Sequence, residues 1–166
     1  MSAVAAYKLA EIWELLESVQ DPEIPVLNVV DIGIVRDVRV ADRSVEIVIT
    51  PTYSGCPAMD MIEKDIVRTL AENDYEDTFV TTVLSPPWTT DWLSDKARAK
   101  LRSVGIAPPQ EASTAKKILF GEEIRIFCPR CGSDNTQKVS EFGSTACKAH
   151  YKCSDCLEPF DYFKCI

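Results

Sequence analysis

Cys128-Pro129-Arg130-Cys131-Gly132 and Cys153-Ser154-Asp155-Cys156 decide the reading of the last third of the chain: two Cys-x-x-Cys knuckles with 21 residues between them. Each knuckle offers two sulfurs from one tight turn, and two such turns complete a tetrahedron. That donor set suits zinc, which has no ligand-field preference. Gly132 supplies the positive φ that a knuckle turn needs. A four-thiolate iron or iron–sulfur site is the alternative, because four cysteines also suit a cluster. Strand-like arms at 124–127, 137–142, 149–152 and 160–163 make this module a small all-β zinc ribbon.

Seven cysteines in a chain of 166 residues suggest metal or reactive sulfur before disulfides if the compartment is reducing. A cytoplasmic location is expected. Met1 to Gln20 contains Glu11, Glu14 and Glu17 and has no cationic start followed by an apolar stretch, so it does not read as a secretory signal. No apolar run approaches the about 20 residues that span a bilayer. With 18 basic and 26 acidic side chains the formal charge is −8, which disfavours nucleic acid and anionic membranes as partners. Cys147 and Cys165 are left over from the ribbon. Cys147 reads equally as a small buried side chain and as a functional thiol, and Cys165, beside the last residue, reads as incidental. His150, the only histidine, reads as a satisfied or exposed side chain, since four sulfurs already fill the metal site.

Composition changes near Pro108, where Pro-Pro-Gln-Glu-Ala-Ser-Thr offers neither periodicity nor a large apolar residue. The expected organisation is a first domain over 1–107, a linker over 108–120 and the ribbon over 121–166. In the first domain Leu9, Ile12, Trp13, Leu16 and Val19 recur at helical spacing and predict a helix over 5–19, ended by Asp21-Pro22. Residues 34–40 and 45–50 alternate and are rich in β-branched side chains, a hairpin turning at Ala41-Asp42-Arg43-Ser44. Met59, Ile62, Ile66, Val67 and Leu70 mark a second helix starting at Pro57. A third strand follows over 78–84 and a third helix over 91–104, before Gly105. The fold class is therefore α+β, an α-β-β-α-β-α two-layer domain followed by the ribbon.

Thr50-Pro51-Thr52-Tyr53-Ser54-Gly55-Cys56-Pro57 joins the second strand to the second helix. With Pro57 at the first helical position, Cys56 falls at the N-cap, where the helix dipole and free N–H groups favour a negative sulfur and a lowered pKa. Metal transfer and nucleophilic chemistry both use such a thiolate; a buried structural cysteine is the plain alternative. Asp21-Pro22-Glu23 reads on spacing alone as a turn. No glycine-rich phosphate loop and no Glu-x-x-His pairing occur, and a catalytic triad would have to use His150. No catalytic residue is assigned, and no catalytic activity of the chain's own is expected.

Asp21-Pro22-Glu23-Ile24-Pro25-Val26-Leu27-Asn28-Val29-Val30-Asp31-Ile32-Gly33-Ile34-Val35, followed by Thr50-Pro51-Thr52 and Cys56-Pro57, resembles the small iron–sulfur-assembly domain family. Bacterial cluster-maturation factors and a eukaryotic cytosolic cluster-targeting protein share that domain. The likeness covers roughly residues 8–105 and includes the element order. With the ribbon and Phe142-Gly143-Ser144-Thr145-Ala146-Cys147-Lys148 added, the chain resembles the D-subunit family associated with the bacterial phenylacetyl-CoA epoxidase.

The resemblance implies a setting: a multicomponent monooxygenase with a di-iron oxygenase subunit and a reductase carrying an iron–sulfur cluster and flavin, forming a 1,2-epoxide in phenylacetate catabolism. It implies an accessory part that matures or repairs those metal centres, with the oxygenase and reductase subunits as partners. In the family the Cys-Pro cysteine is the functional residue, and Cys56 holds that position. The implied cofactors are structural zinc and a transient iron or iron–sulfur cargo. One cysteine cannot hold a cluster alone, so support from Asp21, Glu23 or Cys147, a homodimer or a client would complete the ligand set. Two alternatives stand beside this: an obligatory non-catalytic component needed for turnover, and a zinc-ribbon nucleic-acid-binding module.

Overall fold

The computed structural model describes residues 3–41, 44–109 and 125–164. The chain divides into two compact units, 1–88 and 89–166.

The first unit contains α1 (Ala3–Leu16), β1 (Val35–Ala41), β2 (Ser44–Ile49), α2 (Met59–Ala71) and β3 (Asp77–Thr82). β2 is the central strand, antiparallel to β1 and parallel to β3. Ile12 and Leu16 of α1 and Ile62, Ile66 and Leu70 of α2 are buried, as are Val45, Ile47 and Ile49 of β2. The helical periodicity of the first two groups and the two-residue alternation of the third thus meet in one core. The first helix stops at Leu16, short of the expected 19, and a turn through Glu17 and Ser18 follows. Two side chains then shape the path to β1. Asp21 Oδ1 accepts from the Glu23 and Ile24 amides at 2.8 and 2.7 Å, and Asn28 Oδ1 accepts from Val30 and Asp31 at 3.1 and 2.7 Å. Such Asx turns replace the backbone partners that a helix or strand would supply. Trp88 Nε1 donates to Ile32 O at 3.0 Å and closes this unit.

The second unit contains a short 3-10 turn (Thr90–Trp92), α3 (Asp95–Ser103), β4 (Ile106–Ala107), β5 (Thr136–Ser140), β6 (Lys148–Cys153) and β7 (Pro159–Phe163). Its sheet runs β4-β7-β6-β5. The single helix expected over 91–104 is split because the Ser94 side chain accepts from Ala97 N and caps α3. The expected domain boundary after 107 also differs from the observed division. α3 and β4 go with the ribbon: β4 pairs in parallel with β7, and Arg98 donates to the carbonyls of Thr90 and Pro109. The arm expected at 124–127 is not a strand over its described residues; Ile126 is buried there and its carbonyl accepts from Thr136 Oγ1 at 2.6 Å. At the hairpin end Glu141 accepts from Lys138 and Lys164, which hold its carboxyl at about 2. Residues 110–124, which include most of the expected linker, and Cys165 lie outside the described residues. No helix among the described residues is long and apolar enough to cross a membrane.

Ile66, fully buried on α2, carries a share of the first unit's core. Ile66→Ala should cost about 2–5 kcal/mol through lost burial and the residual cavity. A lower urea midpoint at unchanged slope, followed by circular dichroism, would register it.

Candidate functional site

The ribbon brings Cys128, Cys131, Cys153 and Cys156 together, all four sulfurs lying within 4.8 Å of one another. Cys128 Sγ is 3.7 Å from Cys156 Sγ, and Cys131 Sγ is 3.6 Å from Cys153 Sγ. A regular tetrahedron with metal–sulfur bonds of about 2.3 Å has edges of about 3.8 Å, so the donor set fits a tetrahedrally bound ion. The two knuckles are built alike. The Cys128 amide donates to Ser133 O at 2.8 Å, and the Cys153 amide donates to Glu158 O at 3.0 Å. Gly132 takes φ +77° after the first knuckle and Leu157 takes φ +65° at the matching place after the second. The Asp155 carboxylate ties the knuckles together by accepting from Ser133 Oγ at 2.5 Å and Asn135 Nδ2 at 2.7 Å.

Four thiols this close do not ionise independently. Amides of Cys156 and Asp155 aimed at the Cys153 sulfur hold that thiol down at about 7. For Cys156 the Glu158 amide acts downward, yet burial and the neighbouring thiols Cys131, Cys153 and Cys128 outweigh it and push the group up to about 12. A divalent cation removes this conflict by neutralising charge that the sulfurs would otherwise impose on one another.

His150 stands apart from this group. Its Nδ1 faces Asp161 Oδ1 at 3.3 Å on the paired strand. Cys147 is buried in the same unit, 3.1 Å from Thr145 Oγ1, a setting that favours the small-side-chain reading over a transfer role.

Cys56 lies in the first unit, on the loop that leaves the C-terminal end of β2. It does not cap α2, contrary to the sequence expectation. The helix begins at Met59 with Ala58 at its N-cap, and a turn through Pro57 intervenes, closed by Met59 N donating to Cys56 O at 3.2 Å. The expected lowering of its pKa is also reversed. Burial pushes the half-buried thiol up; the Ala58 amide and the Tyr53 side chain, both hydrogen-bonded to the sulfur, pull it down; the charges of Glu23 and Asp21 push it up again. Desolvation outweighs the two donors because the uncharged thiol loses little on leaving water.

That balance also places the acidic Asp21-Pro22-Glu23 turn within electrostatic reach of Cys56, a proximity invisible in the sequence. Two further residues of the loop have surroundings that the sequence did not show. Tyr53 turns the chain by accepting from the Cys56 amide at 3.3 Å while its side chain bonds the sulfur. Thr50 Oγ1 is buried with no hydrogen-bond partner among the described residues. Neither carries a spacing signal, because both act through the fold of the loop. Gly55, at φ +83°, supplies the left-handed residue the turn needs.

Comparisons with known proteins agree with this two-part organisation. Residues 9–84 match the family model described as iron-sulfur cluster assembly protein, and residues 112–164 match the PaaD zinc beta ribbon domain. A protein of Escherichia coli (strain K12), named as the D-subunit of a "Putative 1,2-phenylacetyl-CoA epoxidase", is 46% identical over 166 residues, covering 100% of this chain and 98% of that protein. The "Fe-S protein maturation auxiliary factor YitW" of Bacillus subtilis (strain 168) is 39% identical over 52% of this chain and 85% of its own length. A crystal structure of a domain of unknown function, DUF59, from Bacillus anthracis superposes with a TM-score of 0.52 at 32% identity, covering 55% of this chain and 89% of that one.

Two outcomes follow from the ribbon geometry. Cys128 and Cys153 belong to the same buried cluster as Ala107, Ile126 and Phe160, so two of the four candidate ligands are also core. Cys153→Ser should abolish metal binding and unfold the ribbon while the first unit persists, because so small a core does not fold without its metal. Elemental analysis together with amide exchange resolved along the chain would detect both effects. The left-handed backbone at Leu157 costs about 1 kcal/mol. Leu157→Gly should therefore leave the ribbon as stable as before or slightly more so in thermal melts, whereas Gly132→Leu should lower its melting temperature.

Proposed function

The chain belongs to the D-subunit family of the phenylacetyl-CoA epoxidase, an iron–sulfur-assembly domain joined to a zinc ribbon domain, and on that premise we propose that it matures or repairs the metal centres of that epoxidase system through Cys56. The observation that carries the reading is the surroundings of the Cys56 sulfur. A half-buried thiol has two hydrogen-bond donors aimed at it and two carboxylates within electrostatic reach. The carboxylates favour the approach of cationic iron. The Ala58 amide and the Tyr53 hydroxyl then stabilise the thiolate left when iron or cluster binding displaces the thiol proton. One protein sulfur gives the cargo an incomplete ligand set, which is what a carrier that must release to a client requires. The client's own ligands complete the coordination and take the cargo. Asp21 and Glu23 serve as electrostatic support.

In the second unit zinc is the ion proposed for Cys128, Cys131, Cys153 and Cys156. It supplies structure there and no chemistry, since all four positions are filled by protein. The proposed partners are the oxygenase and reductase subunits in the cytoplasm.

The name of the Escherichia coli relative, which makes it a subunit, favours a second reading in which the protein is a non-catalytic component needed during turnover. The net charge of −8 weighs against the nucleic-acid-binding alternative.

Cys56→Ala separates the two readings. It removes one sulfur from a loop, so fold and zinc content should stay unchanged. Iron in the oxygenase and reductase subunits produced beside the variant should fall, and growth on phenylacetate with it. Fully loaded subunits with lost activity would favour the turnover component. Unchanged loading with unchanged growth would make Cys56 a structural residue.

A further inference from the structure

The two edges of the first unit's sheet are treated differently. β1 carries Arg36, Asp37 and Arg39, with a register irregularity between Val35 and Asp37. Charges and bulges of that kind keep an edge from pairing with another chain. β3 carries one charge, Asp77 at its first residue. From Thr78 to Leu84 the sequence is Thr-Phe-Val-Thr-Thr-Val-Leu, without a charge or a proline, and only β2 pairs with it among the described residues. Phe79 and Leu84 on this stretch are 49% and 64% exposed.

The backbone polarity of the edge can be read directly. The Val83 amide donates inward to Ile49 O at 2.9 Å. Successive residues of a strand alternate in the direction of their N–H and C=O groups, so Thr78, Val80 and Thr82 turn theirs outward, away from β2. The C-terminal end of β3 lies beside the end of β2, where Ile49 pairs with Thr82, and the Cys56 loop begins at the next residue, Thr50. A chain laid along β3 would therefore run up to the loop that carries Cys56.

We propose that β3 is the docking edge for the client: an extended segment of an epoxidase-system subunit, flanked by basic side chains, adds to the sheet as a fourth strand and brings its metal ligands to Cys56. Charge selects this occupant over a second copy of the chain. Residues 1–88 hold 6 basic and 16 acidic side chains, net −10, and Glu76 and Asp77 lie at the start of the edge. Two copies brought edge to edge repel, whereas a cationic strand is drawn in. The outward backbone groups supply affinity in such an addition, and side chains such as Phe79 supply specificity.

This inference rests on the carrier reading for the client's identity, and the test keeps the two apart. The full chain is mixed with the purified oxygenase and reductase subunits, and amide exchange is followed with and without them. Exchange at 78–84 should slow by about tenfold on binding one of the subunits. Thr82→Pro removes an outward N–H while leaving the bonds to β2, so it should weaken binding by about tenfold with the melting temperature of the free protein retained. Phe79→Lys should weaken it similarly through repulsion of the basic segment. Binding with protection confined to other elements, equal binding by Thr82→Pro, or no binding of either subunit would overturn the proposal. So would slowed exchange at 78–84 in the chain alone that grows with its concentration, which would identify a second copy as the occupant. If edge protection appears but Cys56→Ala leaves client iron unchanged, the docking edge stands and the cargo reading fails.

Discussion

Four sulfurs within 4.8 Å of one another are the constraint on which the second unit depends. Their ionisation is linked: neighbouring amides hold the Cys153 thiol down at about 7, while burial and the other thiols push Cys156 up to about 12. A bound cation would neutralise them at the centre of the fold. Cys128 and Cys153 pack with Ala107, Ile126 and Phe160, and Tyr151 stacks on Phe160 at 5.8 Å. A module this small has few other apolar contacts with which to offset the entropy of ordering its strands. Metal coordination and core packing are consequently one interaction in this unit.

The first unit solves the same problem by the opposite means. Its core is largely aliphatic, drawn from one face of each helix and alternate positions of the strands. Cys56 sits on a loop rather than on a regular element, where its surroundings are set by two donors and two nearby acids. Desolvation is the largest influence on the thiol and raises its pKa, which favours the uncharged form.

Sequence alone determined the features whose physics is local. The spacing of two Cys-x-x-Cys knuckles picked out four cysteines whose sulfurs converge, because a tight turn fixes each pair of sulfurs. Helical periodicity at Ile62, Ile66 and Leu70 and alternation through Val45, Ile47 and Ile49 located the core, since each pattern needs only one element to be visible. Asp21-Pro22-Glu23 and Cys56-Pro57 could be recognised as motifs, but their relation to each other could not. Tertiary structure decided what depends on groups far apart in the chain. It assigned α3 and β4 to the ribbon unit, because β4 finds its partner in β7, more than fifty residues later. It turned the Cys56 thiol upward rather than downward, because desolvation comes from the packed surroundings while the expected helix effect needed an N-cap that Ala58 occupies. It also set β3 parallel to β2 as the outer strand of its sheet among the described residues, a matter of strand pairing that no single strand's sequence encodes.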